Sequence, residues 1–124
     1  MPLYWTIDSR RRTVDVVAEG DVSIIDAMDL FDAIDGANAL SYDKLLDGAL
    51  GRAAMTPDEI LAIVARVRSM GAAVGGALAI VANAEQAETL ARVLVAAADR
   101  PVKVFDDVKT ARRWLEAQPP RHHP

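Results

Sequence analysis

Apolar and polar positions alternate from the start of the chain: Leu3, Trp5 and Ile7 fall between Tyr4, Thr6 and Asp8, and Val14, Val16 and Ala18 repeat the period. A period of two marks strands with one buried face, and the polar link Ser9-Arg10-Arg11-Arg12 predicts a β-hairpin at the edge of a sheet. The three arginines read as a solvated hairpin tip rather than an anion patch, because charges clustered in turns generally face water. Gly20-Asp21-Val22-Ser23 predicts the end of the hairpin and a turn into a helix, with Ser23 as N-cap and Asp26 as a first-turn acid. Ile24, Ala27, Met28 and Phe31 then share one helical face. Asp26, Asp29, Asp32 and Asp35 recur on a flanking face. They read as solvated rather than metal-binding, since one helix splays its carboxylates and hard-cation sites generally need loop oxygens as well.

After a link containing Gly36 and Asn38, residues 42–47 predict a short buried strand closed by Gly48, and residues 49–55 a loop. Thr56-Pro57-Asp58-Glu59 is one of the clearest helix starts: a threonine N-cap, proline at the first helical position, and an acid at the third. Ile60, Ile63, Val64 and Val67 supply its core face, Arg66 and Arg68 lie near its C-terminal end, and Gly71 stops it. Gly75 and Gly76 suit the following turn. Residues 78–82 are uniformly apolar, as a strand buried on both faces should be. Asn83 can cap a helix carrying Ala87, Leu90, Ala91 and Leu94; Asp99-Arg100-Pro101 breaks it. Residues 102–105 form the last strand, and Asp106 or Asp107 caps a helix with Val108, Ala111, Trp114 and Leu115 inward. The expectation is a single α/β domain over residues 1–118, a mixed five-stranded sheet with four helices in the order β-β-α-β-α-β-α-β-α, and a frayed tail over 119–124.

Composition narrows the chemistry. A length of 124 residues with 52% hydrophobic content encloses one core and is short for two domains. A net charge of −4 disfavours a nucleic-acid binder, and aromatic residues at 5% make no base-stacking platform. There is no cysteine, which removes disulfides and thiolate chemistry and fits a reducing compartment. The start lacks a charged segment followed by an apolar one, and the uncharged stretch 71–84 falls short of the roughly 20 residues of a membrane span. A cytoplasmic protein without a membrane span is expected. Histidine occurs only at His122 and His123, so a Ser-His-Asp triad and a histidine metal site are disfavoured. Gly48-Ala49-Leu50-Gly51-Arg52 lacks the lysine and hydroxyl of a phosphate loop. Asp43 and Asp47 can share a strand face, with no second acid or base to complete a catalytic pair. No cofactor is expected, and an enzyme is the least supported class.

In this order of elements, and over residues 3–117, the chain resembles the STAS domain of bacterial anti-sigma-factor antagonists, in particular its SpoIIAA-like branch. The resemblance is carried by Gly20-Asp21-Val22-Ser23, by Leu45-Leu46-Asp47, and above all by Val104-Phe105-Asp106-Asp107 followed by Ala111-Arg112-Arg113-Trp114-Leu115. It implies a serine at the start of the second helix that a partner kinase phosphorylates, and the corresponding position is Thr56, nine residues after Asp47. A phosphate there would meet free helix N–H groups. This chain departs from the pattern with Met55, Pro57 and Asp58 where the family has aspartate, serine and glycine, and Asp58 and Glu59 would repel a phosphate. Capping alone explains Thr56.

The leading expectation is a non-enzymatic regulatory or protein-interaction module with a kinase-like or regulator-like partner. Its surface would be the loop bearing Asp47, Gly48, Gly51, Arg52 and Met55 together with Thr56, at the carboxyl end of a central strand. Arg52 would be available there to pair with an acidic or phosphorylated partner. The alternative is a carrier or sensor of a small apolar ligand: the resemblance extends to SEC14-type lipid-binding domains, and the small residues of 71–84 and 96–98 could leave room beside the sheet. Tight helix packing explains those small residues equally well. Self-association through the edge hairpin, or through Tyr4 and Trp5, stays open.

Overall fold

A computed structural model describes residues 2–69, 75–85 and 101–118. Strands β1 (Leu3–Asp8), β2 (Thr13–Val22), β3 (Asp43–Ala53), β4 (Leu78–Val81) and β5 (Val102–Phe105) lie side by side in sequence order in one sheet. β1 pairs antiparallel with β2 at the edge, and the other neighbours are parallel, so the sheet is mixed as expected. Helix α1 (Ile24–Gly36) follows β2, α2 (Pro57–Ser69) follows β3, and α3 (Val108–Glu116) follows β5. Of the helix expected after Asn83, only helical Ala84 and Glu85 are described. Its core positions Ala87, Leu90, Ala91 and Leu94 lie outside the described residues, as do Gly71, the side chains of Val67 and Arg68, and the tail over 119–124.

Local chemistry sets the element ends. At the hairpin tip Asp8 Oδ1 accepts from the Arg10 N–H at 2.9 Å and the Arg11 N–H at 3.1 Å. At the start of α1, Ser23 Oγ accepts from the Asp26 N–H at 3.2 Å and Asp26 Oδ2 from the Ser23 N–H at 2.9 Å, a reciprocal capping box. Asp107, not Asp106, caps α3 by accepting from the Thr110 N–H at 2.9 Å.

Strand alternation divides the core between the two sheet faces. On one face Leu3, Val14, Val16, Ala18 and Val22 pack with Ile34 of α1. On the other, Leu45, Ala79, Val81 and Phe105 pack beneath Ala111 and Leu115 of α3, with the Phe105 and Trp114 rings 5.7 Å apart. Ile80 is buried and lines the space under α1 and α2, Ala79 packs under α3, and Val81 borders both, which is why β4 reads as an unbroken apolar run.

Two boundaries differ from the sequence expectation. β2 continues through Gly20, Asp21 and Val22, and β3 continues past Gly48 to Ala53, so the expected loop over 49–55 contracts to residues 54–56. Val17 pairs with Asp47 but Glu19 with Leu50, so β3 carries one extra residue in a bulge. Pairing then resumes as Gly20 with Gly51, Asp21 with Arg52 and Val22 with Ala53. Gly51, expected within the loop, serves close approach between the strands: a Cβ on it would lie 2.8 Å from the Ala18 Cβ.

Lys44 has a tertiary role with no counterpart in the sequence pattern. Its Nζ donates to the Leu40 and Tyr42 carbonyls at 2.6 and 2.7 Å and to the Gly75 carbonyl at 3.3 Å. Asp43 Oδ1 accepts from the Ala77 N–H at 2.8 Å, so the two residues tie the start of β3 to the entry of β4.

Candidate functional site: an apolar cavity under two helices

Between the sheet and the pair α1 and α2 lies a cavity of about 280 Å³. Its sheet side is unusually small in side-chain volume where it is formed by Ala18 of β2 and by Gly48, Gly51 and Ala53 of β3. Those positions cannot fill the space that Ala27, Leu30 and Phe31 of α1 and Ile60, Ile63 and Val64 of α2 enclose from above. The helix face predicted to carry the core of α1 is accordingly only half-buried, and Ile34 is the deepest residue of α1. Met55 closes the end next to α2, and Ile80 contributes from β4. A dry apolar cavity of about 150 Å³ takes up benzene, and ligand pockets start at about 300 Å³, so this one suits a small apolar molecule.

Arg66 braces the helical wall. From α2 its Nη2 meets Asp32 Oδ1 of α1 at 2.7 Å, its Nη1 donates to Met28 Sδ at 3.1 Å, and its guanidinium lies 5.3 Å from the centroid of the Phe31 ring. The aspartate row of α1 is thus divided: Asp26 belongs to the capping box and Asp32 to this interhelical pair. No cluster of metal-ligating side chains occurs among the described residues.

The residues expected to form one loop surface are separated by the extension of β3. Gly48, Gly51 and Met55 border the cavity. Asp47 does not line it, and Arg52 borders it from a strand position whose pairing partner is Asp21. There Arg52 is already engaged: its Nε and Nη2 each donate to an Asp21 carboxylate oxygen at 2.9 Å across the β2–β3 pairing. Asp47 Oδ1 accepts from the Ala49 N–H within the bulge at 3.3 Å.

Thr56 is exposed, and its hydroxyl, N–H and carbonyl all have partners at the start of α2, the carbonyl accepting from the Ile60 N–H at 3.0 Å. Its Oγ1 accepts from the Glu59 N–H at 3.2 Å, and Glu59 Oε1 accepts from the Thr56 N–H at 2.9 Å. This is a second capping box, built like that of Ser23 and Asp26. In the first box, hydrogen bonds from the Ser23 N–H and then the Ser23 hydroxyl hold the Asp26 carboxyl below its ordinary pKa.

The small residues singled out in the sequence contribute unevenly. Within 71–84, Leu78, Ile80, Val81 and Ala82 reach the cavity. Residues 96–98 lie outside the described residues. Small residues at Ala18, Gly48, Gly51 and Ala53, which only the paired strands bring together, also line the space.

The architecture matches known structures. A protein with a SpoIIAA-like fold from Shewanella loihica matches with a TM-score of 0.69 at 18% identity, over 91% of this chain and 93% of that one. An anti-sigma factor antagonist from Mycobacterium paratuberculosis matches with a TM-score of 0.58 at 14% identity, over 92% and 94% of the two chains. No protein-family model matches the sequence, and no curated protein matches it significantly. The chain has the SpoIIAA-like form of the STAS fold.

Proposed function

We propose that this chain is a non-enzymatic, cytoplasmic regulatory module of STAS fold that carries or senses a small apolar ligand in the cavity beneath α1 and α2. The observation that carries the reading is the cavity itself, about 280 Å³ of apolar space in a chain of this size. Close packing is the rule for protein interiors, so space of this size beside a sheet calls for an occupant. Burying about 200 Å² of hydrocarbon would supply about 5 kcal/mol before the costs of association. The test is native mass spectrometry of untagged protein from its own cells, with an organic extract of the same sample. A co-purifying apolar molecule supports the reading; a bare chain that also takes up no hydrocarbon in an NMR titration overturns it.

A second reading, docking of a protein partner, is favoured by the opposite sheet face. Tyr4 and Val17 are cross-strand neighbours there, 53% and 37% exposed, and Leu50 is 75% exposed beside them on β3. An anti-sigma factor antagonist shares the fold. In this reading Thr56, exposed at the start of α2, is the candidate phosphorylation site. Phosphopeptide mapping of the cellular protein tests that role, and loss of a co-isolated protein on Val17→Arg tests the surface.

A further inference from the structure

Resting on the reading of the cavity as a ligand site, we infer that its ligand is uncharged: a largely apolar molecule of about nine carbon-sized groups, such as a short-chain ester, with both anionic and cationic amphiphiles rejected. The size follows from about 280 Å³ of space, at roughly 30 Å³ for each water-sized group. The charge follows from two features. First, among the described residues Arg52 alone brings a charged side chain to the lining, and its guanidinium is already bonded to the Asp21 carboxylate; no hydroxyl, amide or imidazole side chain lines the cavity there. A charged head drawn inside would lose its hydration with no partner to replace it.

Second, Val22 and Ala53 are paired neighbours that line the cavity at the ends of β2 and β3, and the chain passes from them, by way of Met55 on the β3 side, to the starts of α1 and α2. Two helix starts side by side would ordinarily welcome an anion through their free N–H groups. Here each already carries one of the chain's own carboxylates, Asp26 in one capping box and Glu59 in the other, with Asp58 next to Glu59 in the chain. Three carboxylates outweigh the roughly half positive charge at each helix start.

The test uses methyl hexanoate, hexanoate and hexylammonium, which share a short chain, titrated into the full chain at pH 7 and followed by NMR and by the shift in Tm. Methyl hexanoate should bind at least about tenfold more tightly than either ion. Ala27→Leu, which fills the cavity from α1, and Ala53→Leu, which fills it from β3, should each weaken methyl hexanoate by about tenfold or more with the circular dichroism spectrum unchanged. Equal or tighter binding of hexanoate or hexylammonium overturns the inference and leaves the cavity reading standing. Binding of none of the three, or binding that both filling variants leave intact, overturns the inference and the cavity reading together.

Discussion

Gly51 presents its bare Cα to the methyl group of Ala18 across the β2–β3 pairing, so closely that a Cβ on Gly51 would stand 2.8 Å from the Ala18 Cβ. A methyl group at both positions forces a shift, and a Cβ on Gly51 would also stand 3.2 Å from the Ala18 carbonyl oxygen. Gly51→Ala should therefore lower the unfolding free energy by about 1–3 kcal/mol in a urea titration. The double variant Ala18→Gly with Gly51→Ala should recover part of that loss, because the two side chains compete for one space. A fully additive double variant would show that the strands yield at this point.

Thr56→Ala should cost about 1 kcal/mol, the usual loss for an exposed N-cap, since Oγ1 accepts from the Glu59 N–H. Equilibrium unfolding reads this directly. A loss well beyond that range, or lost partner binding with an intact fold, would give Thr56 a role in addition to capping.

Acid should weaken the chain through its helix starts. Hydrogen bonds from Ser23 hold the Asp26 carboxyl, and hydrogen bonds from Thr110 hold the Asp107 carboxyl, below the ordinary value of 3.8. With the folded pKa depressed, the unfolded chain binds more protons in this range, so stability rises with pH. The contribution is complete above the ordinary aspartate range and is lost as pH falls through it to the lowered folded value. Asp107→Asn keeps a capping oxygen but removes the titration, so its unfolding free energy should fall less steeply between pH 5 and pH 2 than that of the parent, roughly the window of such losses. Parallel curves would refute the linkage.

Arg66 should matter more than its ion pair. Asp32 is 67% exposed, so Asp32→Asn should cost under about 1 kcal/mol and less in high salt. Arg66→Ala also removes the stacking on Phe31 and the packing of a side chain only 27% exposed, so a loss of about 1–2 kcal/mol is expected, largely insensitive to salt. Urea unfolding at two ionic strengths separates the two effects.

Much of the fold is legible in local patterns. The alternation of Leu3, Trp5 and Ile7 gives the edge strand, and residues 78–82 and 102–105 give strands that the structure places at Leu78–Val81 and Val102–Phe105. Ser23 and Thr56 both cap where the spacing of their acids says they should. The candidate surface is legible only in part, because a glycine in a sequence signals permissiveness without saying what uses it. Gly48 reads as the end of a strand and Gly51 as part of a loop over 49–55, whereas the structure continues β3 through both to Ala53, so that Gly48, Gly51 and Arg52 border the cavity and Asp47 does not.

By itself the sequence determined the kind of each described element, the helix starts and the class of layered α/β fold, because these follow from period, capping and turn chemistry within a few residues. Only the tertiary structure decided how far β2 and β3 run, that Lys44 ties Leu40, Tyr42 and Gly75 together, and that Ala18, Gly48, Gly51 and Ala53 meet beneath α1 and α2. Those outcomes depend on strand pairing and on volumes summed over residues far apart in the chain. Local pattern carries no record of such sums.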